Sequence, residues 1–198
     1  MLQTFLTTWT FPIIVSLFLI FVLVLFFIKK AISRKAIILG IVCFIMLQLV
    51  QIGLSRFLLY RSWEQSTGYE QYFTLRYSNK IYDLLTSDIE RFGLHLALGV
   101  FIFFVFIIAA KKTKGVLLSV NDVLLLSLAA VITGWPNFAI AIGLIFALTI
   151  CLKFIRIALR KEKLSDRIII TPAIPVATVI MVFFGNYLSA LLGLSTLQ

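Results

Sequence analysis

Charged residues are scarce in this chain: only 13% of its 198 residues are Asp, Glu, Lys or Arg, whereas 62% are hydrophobic. A soluble domain of this size could not bury so much apolar surface, so the composition excludes a water-soluble globular protein and predicts a membrane protein. The chain has one histidine, two cysteines and no CxxC pair. These shortages exclude a bis-histidine haem site and offer no ligand set for zinc, so we expect neither a metal nor a cofactor.

Basic residues are unevenly placed along the chain. The 18 Lys and Arg residues outnumber the 8 Asp and Glu residues and give a formal charge of +10. Thirteen of the basic residues fall within Lys29–Lys35, Lys111–Lys114 and Lys153–Arg167. Each cluster follows a long uncharged stretch, which is typical of short cytoplasmic loops between membrane-spanning helices. Membrane orientation and contact with anionic headgroups explain this charge, so we predict a lipid bilayer as partner and no nucleic-acid binding.

Hydropathy and turn residues predict an all-α, polytopic fold with about six transmembrane helices in one membrane domain, 1–198. The predicted spans cover residues 11–28, 36–55, 92–110, 117–134, 138–156 and 168–192, with an outer loop at 56–91. The turn residues Gly134–Asn137 divide an uncharged stretch that is too long for one span. With the basic clusters inside, the N-terminus and Gln198 both lie outside a cell membrane of the inner, cytoplasmic type.

The outer loop is the only sizeable polar region of the chain. It contains five basic and five acidic residues, and it is rich in tyrosine and other aromatic side chains. Such a composition is typical of amphipathic helices lying at the membrane surface, with their rings at headgroup level. The alternative is a docking surface for an external partner or substrate. The sequence leaves both interpretations open.

Asp122 is the acidic residue that solvation explains least well, because it opens an otherwise uncharged span. A carboxylate at the edge of a membrane costs free energy unless it is paired, hydrated or placed at a helix N-terminus. One interpretation is a helix cap in which Ser119, Asn121 or Asp122 satisfies free N–H groups. The other is a catalytic carboxylate at the cytoplasmic face.

The segment that begins at Asn121-Asp122-Val-Leu-Leu-Leu and continues to Gly134-Trp135-Pro136 resembles the segment after the GxGD motif of type IV prepilin peptidases. Downstream, Ile170-Thr171-Pro172-Ala173-Ile174-Pro175 and Gly185-Asn186 are similar to that family's last helix, so the resemblance covers roughly residues 111–193. It implies a membrane aspartic endopeptidase, in which two carboxylates activate a water that cleaves the leader of type IV pilin-like precursors. Asp122 would be one of these two carboxylates.

The second carboxylate is harder to place. Ser119 and Asn121 replace both glycines of GxGD, and no acidic residue precedes Glu64. The segment Asp83–Asp88 resembles the family's segment around its first catalytic aspartate, which makes Asp83 the second candidate. However, a single span separates Asp83 from Asp122, so the two would lie on opposite faces of the bilayer, roughly 30 Å apart. The alternative is that Asp83 is a solvated outer-loop residue.

Two functions therefore remain open from the sequence. The first is a prepilin leader peptidase, whose partners would be prepilin-like substrates at the cytoplasmic membrane face. The second is a catalytically inactive relative, or a structural membrane subunit of a pilus, secretion or other envelope complex. A small transporter or channel would need polar groups inside the spans, and these are few (Gln48, Gln51, His95 and Asn186). We interpret His95 as a residue of helix packing.

Overall fold

The computed structural model describes residues 13–21, 34–66, 68, 73–74, 78–113, 118–159 and 169–194. Within these ranges the chain forms six α-helices and no β-strand. They are α1 (residues 13–21), α2 (Arg34–Glu64), α3 (Lys80–Lys112), α4 (Val120–Thr133), α5 (Asn137–Ala158) and α6 (Ala173–Leu191). Parts of the predicted features lie outside the described residues: 11–12 and 22–28 of the first span, Lys29, Lys30, Tyr69, Tyr72, Tyr77, Lys114 and 160–168. The all-helical fold class is confirmed for the described ranges.

Four of the helices, α2, α3, α5 and α6, are long and apolar enough to cross a membrane. Helices α2 and α3 have 31 and 33 residues, so at about 1.5 Å per residue each is longer than the roughly 30 Å of bilayer hydrocarbon. Both continue as helix into the segment that hydropathy assigns to the outer loop. The change from apolar to polar residues along α2 and α3 therefore does not end either helix.

Helix α4 is the short central helix of the bundle. Its 14 residues span about 21 Å, and ten of them are buried. It contacts each of the four longer helices α2, α3, α5 and α6. The hydroxyl groups of Ser127 and Thr133 donate to the carbonyl oxygens of Val123 and Ala129, one turn earlier, so these buried polar atoms are satisfied within the helix. A mainly apolar helix thus forms the core around which the others pack.

The boundaries of α4 and α6 follow from local sequence. Helix α4 ends at Thr133 and is followed by its C-cap, Gly134, whose φ of 63° lies in the region that favours glycine; α5 begins after Pro136. Pro175 lies in the first turn of α6, where a missing N–H costs no helical hydrogen bond. At the other end of α6, the Leu194 N–H donates to Ser189 O and the Gly193 N–H donates to Ala190 O. These bonds, with Gly193 at φ 70°, form a Schellman motif.

Helices α3 and α4 run antiparallel and approach closely through glycine. A side chain added at Gly99 would overlap Val131, and one added at Gly134 would overlap the ring of His95. A third close contact joins α1 to α2, because a side chain at Gly40 would overlap Phe18. Small residues at such positions let apolar helices pack at short range in a membrane.

The two ends of the bundle differ in charge. Arg34 begins α2, Lys111 and Lys112 end α3, and Arg156 lies in the last turn of α5. The antiparallel packing of neighbouring helices brings these termini to one end, which we name the basic end. The opposite end, where α2 ends and α3 begins, is named the cleft end.

Candidate functional site

Asp122 lies at the basic end, in the first turn of α4, and only 4% of its surface is exposed. Its Oδ2 atom accepts hydrogen bonds from the Ser119 N–H at 2.9 Å and from the Ser119 hydroxyl at 2.7 Å. The Asp122 N–H in turn donates to Ser119 Oγ at 3.2 Å, which completes a capping box. The N–H groups of Ser119 and Asp122, at the start of α4, are therefore both satisfied by this one pair of side chains.

The second oxygen of the same carboxylate joins α4 to α6. Asp122 Oδ1 accepts a hydrogen bond of 2.5 Å from the hydroxyl of Thr171, two residues before α6 begins. The positive end of the α4 dipole and three donors stabilise the carboxylate in its buried position. Chemically, this arrangement holds two helix N-termini together. Three of the roughly four lone-pair sites of the carboxylate are occupied by these donors, so one site on Oδ1 is left for a water.

Asp83, the other predicted catalytic residue, lies at the cleft end. Its side chain is exposed in the first turn of α3. Helix α4 runs antiparallel to α3, with Gly134 beside His95 and Val131 beside Gly99, so Asp122 lies beside the far half of α3. At about 1.5 Å per residue, the length of α3 between these levels exceeds roughly 30 Å. The structure therefore does not bring Asp83 and Asp122 together. Glu64, Asp88 and Glu90 also lie at the cleft end, which leaves Asp122 as the one described carboxylate at the basic end.

An ion pair joins α2 and α3 at the cleft end. Arg56 Nε lies 2.6 Å from Asp88 Oδ2, and Arg56 Nη2 lies 2.8 Å from Asp88 Oδ1. This bidentate geometry is the strong form of an arginine–carboxylate pair, and both side chains are about three-quarters buried. It fixes the register of the two long helices at this end of the bundle.

A cleft of about 500 Å³ opens beside this ion pair. Its lining includes Glu90, Arg91 and His95 from α3, Asn137 from α5 and Asn186 from α6. A smaller cleft of about 180 Å³ lies on the α2 side and shares Arg91 and His95 with the first. Polar groups from all five helices α2 to α6 thus line the two clefts at one level of an otherwise apolar bundle, which makes this level a candidate ligand site.

Asn137 Oδ1 and Gln48 Oε1 are buried polar atoms near these clefts that have no protein partner among the described residues. The other amide atom of Asn137, Nδ2, is 3.5 Å from Asn186 Oδ1, which is the outer limit of a hydrogen bond. A buried acceptor without a donor costs about 1–3 kcal/mol. The Asn137 oxygen is therefore suited to accept a hydrogen bond from a bound molecule.

The described residues contain no group of three His, Cys, Asp or Glu side chains close enough to hold a metal ion. Cys43 and Cys151 are unpaired thiols on the surfaces of α2 and α5. His95 packs against the backbone of Gly134, in agreement with its interpretation as a residue of helix packing. It also lines both clefts.

Searches of protein-family models, curated proteins and solved structures find no match to this chain. The described residues form an all-helical fold whose four long apolar helices indicate a bilayer environment.

The sequence predicted a helix cap at Asp122, which the structure contains, but it did not predict the cleft. The sequence does contain an indication of the cleft: the polar residues Gln48, His95 and Asn186 interrupt apolar segments. These residues are far apart in the sequence, and their meeting depends on how each helix is rotated about its axis. Single-chain periodicity does not give that rotation.

Proposed function

We propose that this chain is a catalytically inactive relative of the type IV prepilin peptidases that acts as a structural subunit of an envelope complex. The observation that supports this is the state of Asp122, whose carboxylate accepts hydrogen bonds from Ser119 and Thr171 and ties α4 to α6. An aspartic peptidase needs two carboxylates that share one water, with one ionised and the other protonated. No second described carboxylate lies at this end.

The competing proposal is an active leader peptidase of pilin-like precursors, with hydrolase activity at the cytoplasmic membrane face. Its support is the place of Asp122 at the basic end, where the resemblance puts the catalytic pair. Glu162 and Asp166 belong to the same sequence interval between α5 and α6, and they lie outside the described residues. They are the two acidic residues of this interval, and a second carboxylate near Asp122 would come from one of them.

A cleavage assay separates the two proposals. We expect proteoliposomes of the purified protein to leave a pilin-like precursor with a basic leader uncut, under conditions in which an authentic prepilin peptidase cuts it fully. Should cleavage occur, its loss in Asp122→Asn or in the double variant Glu162→Gln/Asp166→Asn would identify the catalytic carboxylates. Asp83→Asn is the control. Cleavage that is lost in Asp122→Asn but retained in Asp83→Asn would overturn the inactive assignment.

Membrane orientation is part of the same proposal. We infer six spans in a cytoplasmic-type membrane, with the basic end in the cytoplasm and the N-terminus outside, because Lys- and Arg-rich ends are retained inside. The described basic residues at helix ends support this orientation.

Labelling at the two ends of α3 tests this orientation. Lys80 and Lys112 are both exposed, and each would be replaced by cysteine in a protein carrying Cys43→Ala and Cys151→Ala. In intact bacterial cells we expect a membrane-impermeant maleimide to label Lys80→Cys, and to label Lys112→Cys only after permeabilisation. The reverse pattern would contradict the proposed orientation.

A further inference from the structure

We propose that the larger of the two clefts, which Glu90 and Arg91 line, binds a phosphoethanolamine headgroup. This headgroup is a phosphate diester that carries a primary ammonium group. The proposal concerns a different site from Asp122 and does not depend on peptidase activity. It rests on three observations: the position of the cleft along the bundle axis, two unpaired side chains of opposite charge, and a buried oxygen without a donor.

The position of the cleft along the bundle axis matches the level at which lipid phosphates lie. Arg91 lies about 30 Å along α3 from Lys111 at the basic end, which equals the thickness of the hydrocarbon layer. If Lys111 lies at one membrane surface, Arg91 lies at the other. Trp135 lines the same cleft and is 57% exposed, as expected for an aromatic side chain at headgroup level. A phospholipid headgroup is therefore the polar group most available to this cleft.

The charges of the cleft complement a zwitterion. Within the described chain Arg91 makes no ion pair or hydrogen bond, in contrast to Arg56, which is paired with Asp88. Glu90 also lines the cleft without a cationic partner among these residues. An arginine guanidinium binds a phosphate through several N–H groups, and a carboxylate pairs with an ammonium group. Neighbouring unpaired charges of opposite sign thus favour a ligand that carries both.

The hydrogen-bonding groups favour a ligand with N–H donors. Asn137 Oδ1 is buried and has no donor in the described structure, so a donor supplied by a ligand would satisfy it. A primary ammonium has three N–H donors, which suffices for both this oxygen and Glu90. A choline headgroup has the same charges but no N–H, so it satisfies neither acceptor. The cleft volume of about 500 Å³ lies within the range of roughly 300–1,000 Å³ usual for ligand sites.

The test measures lipid binding by the purified, full-length protein in detergent micelles. Phosphatidylethanolamine, phosphatidylcholine and phosphatidylglycerol of identical acyl chains are titrated, and bound lipid is counted by native mass spectrometry. We expect phosphatidylethanolamine to bind about tenfold or more tightly than phosphatidylcholine, because hydrogen bonds to charged groups are lost with choline. Equal binding of these two lipids, or tighter binding of phosphatidylglycerol, would overturn the proposal.

Variants assign the binding to the cleft. Arg91→Gln is expected to weaken phosphatidylethanolamine binding about tenfold or more, and Arg91→Lys to restore part of it, since the charge is kept. Glu90→Gln should weaken phosphatidylethanolamine binding and reduce its preference over phosphatidylcholine. Arg61→Gln and Glu64→Gln, at an exposed pair on α2, are the matched controls and should bind as the unchanged protein does. Unchanged binding in Arg91→Gln would contradict the assignment.

Two further measurements complete the test. The thermal transition of each variant without added lipid shows whether it is folded, and we expect little change because Arg91 and Glu90 are exposed. Soluble glycerophosphoethanolamine is then added as competitor. Displacement of the lipid would assign the site to a water-soluble phosphoethanolamine, whereas retention would assign it to the bilayer lipid.

Discussion

Replacing Gly134 by alanine is expected to lower the free energy of unfolding by about 2–5 kcal/mol, the sum of backbone strain and overpacking. Gly134 combines φ 63° with ψ 176°, a conformation that is essentially restricted to glycine. In addition, the new methyl group would overlap the His95 ring, which packs directly on this residue. The measurement is denaturant-induced unfolding of the purified protein in detergent micelles.

A second substitution separates these two causes. In the double variant Gly134→Ala/His95→Ala the ring is absent, so the overlap disappears while the backbone strain remains. We expect a coupling free energy of about 1–2 kcal/mol between the two sites. Gly143→Ala is the control, because Gly143 lies in α5 with open space around it and alanine favours helix by up to about 1 kcal/mol. A Gly134→Ala protein as stable as the unchanged one would refute this account of the turn.

Replacing Asp122 by alanine is expected to cost about 2–4 kcal/mol of unfolding free energy, since a helix cap is lost and buried donors are left unpaired. The Ser119 N–H and the hydroxyls of Ser119 and Thr171 all donate to this carboxylate. Without it, the N-termini of α4 and α6 lose the contact that joins them. The same unfolding measurement applies.

Asp122→Asn should cost less than Asp122→Ala, because the amide keeps one acceptor oxygen in place. Asp83→Ala is the matched control: its side chain is exposed on α3, so a change within about 0.5 kcal/mol is expected. If Asp122→Ala destabilised the protein no more than Asp83→Ala, the capping role of Asp122 would be wrong. Retained stability together with lost leader cleavage would instead favour the peptidase.

Local features of this fold could be predicted from sequence because local chemistry determines them. The Ser119–Asp122 spacing predicted a helix cap, and the structure has a capping box there. The turn residues after Thr133 predicted the break between two helices, and α4 and α5 meet at that point. In both cases the determining interactions join residues within four positions of each other, so a short stretch of sequence is enough to predict the cap and the turn.

Features that depend on helix rotation could not be predicted in this way. The bond from Thr171 to Asp122 joins residues 49 positions apart, and the cleft around Arg91 draws side chains from α3, α5 and α6. The extension of α2 to Glu64 could not be predicted from hydropathy either. Polar residues replace apolar ones from Ser55 and Arg56 onward, but the helix continues. The Arg56–Asp88 ion pair supports this extension, and it too is a contact between distant residues.

The shortness of α4 has a consequence for biosynthesis. A segment of 14 residues has too little length to hold a transmembrane position by itself while it leaves the translocon. Only the turn at Gly134–Asn137 separates it from the much longer α5. We therefore expect α4 and α5 to enter the bilayer as one helical hairpin, and the buried face of α4 to be shielded from lipid only once α3 and α6 have packed around it.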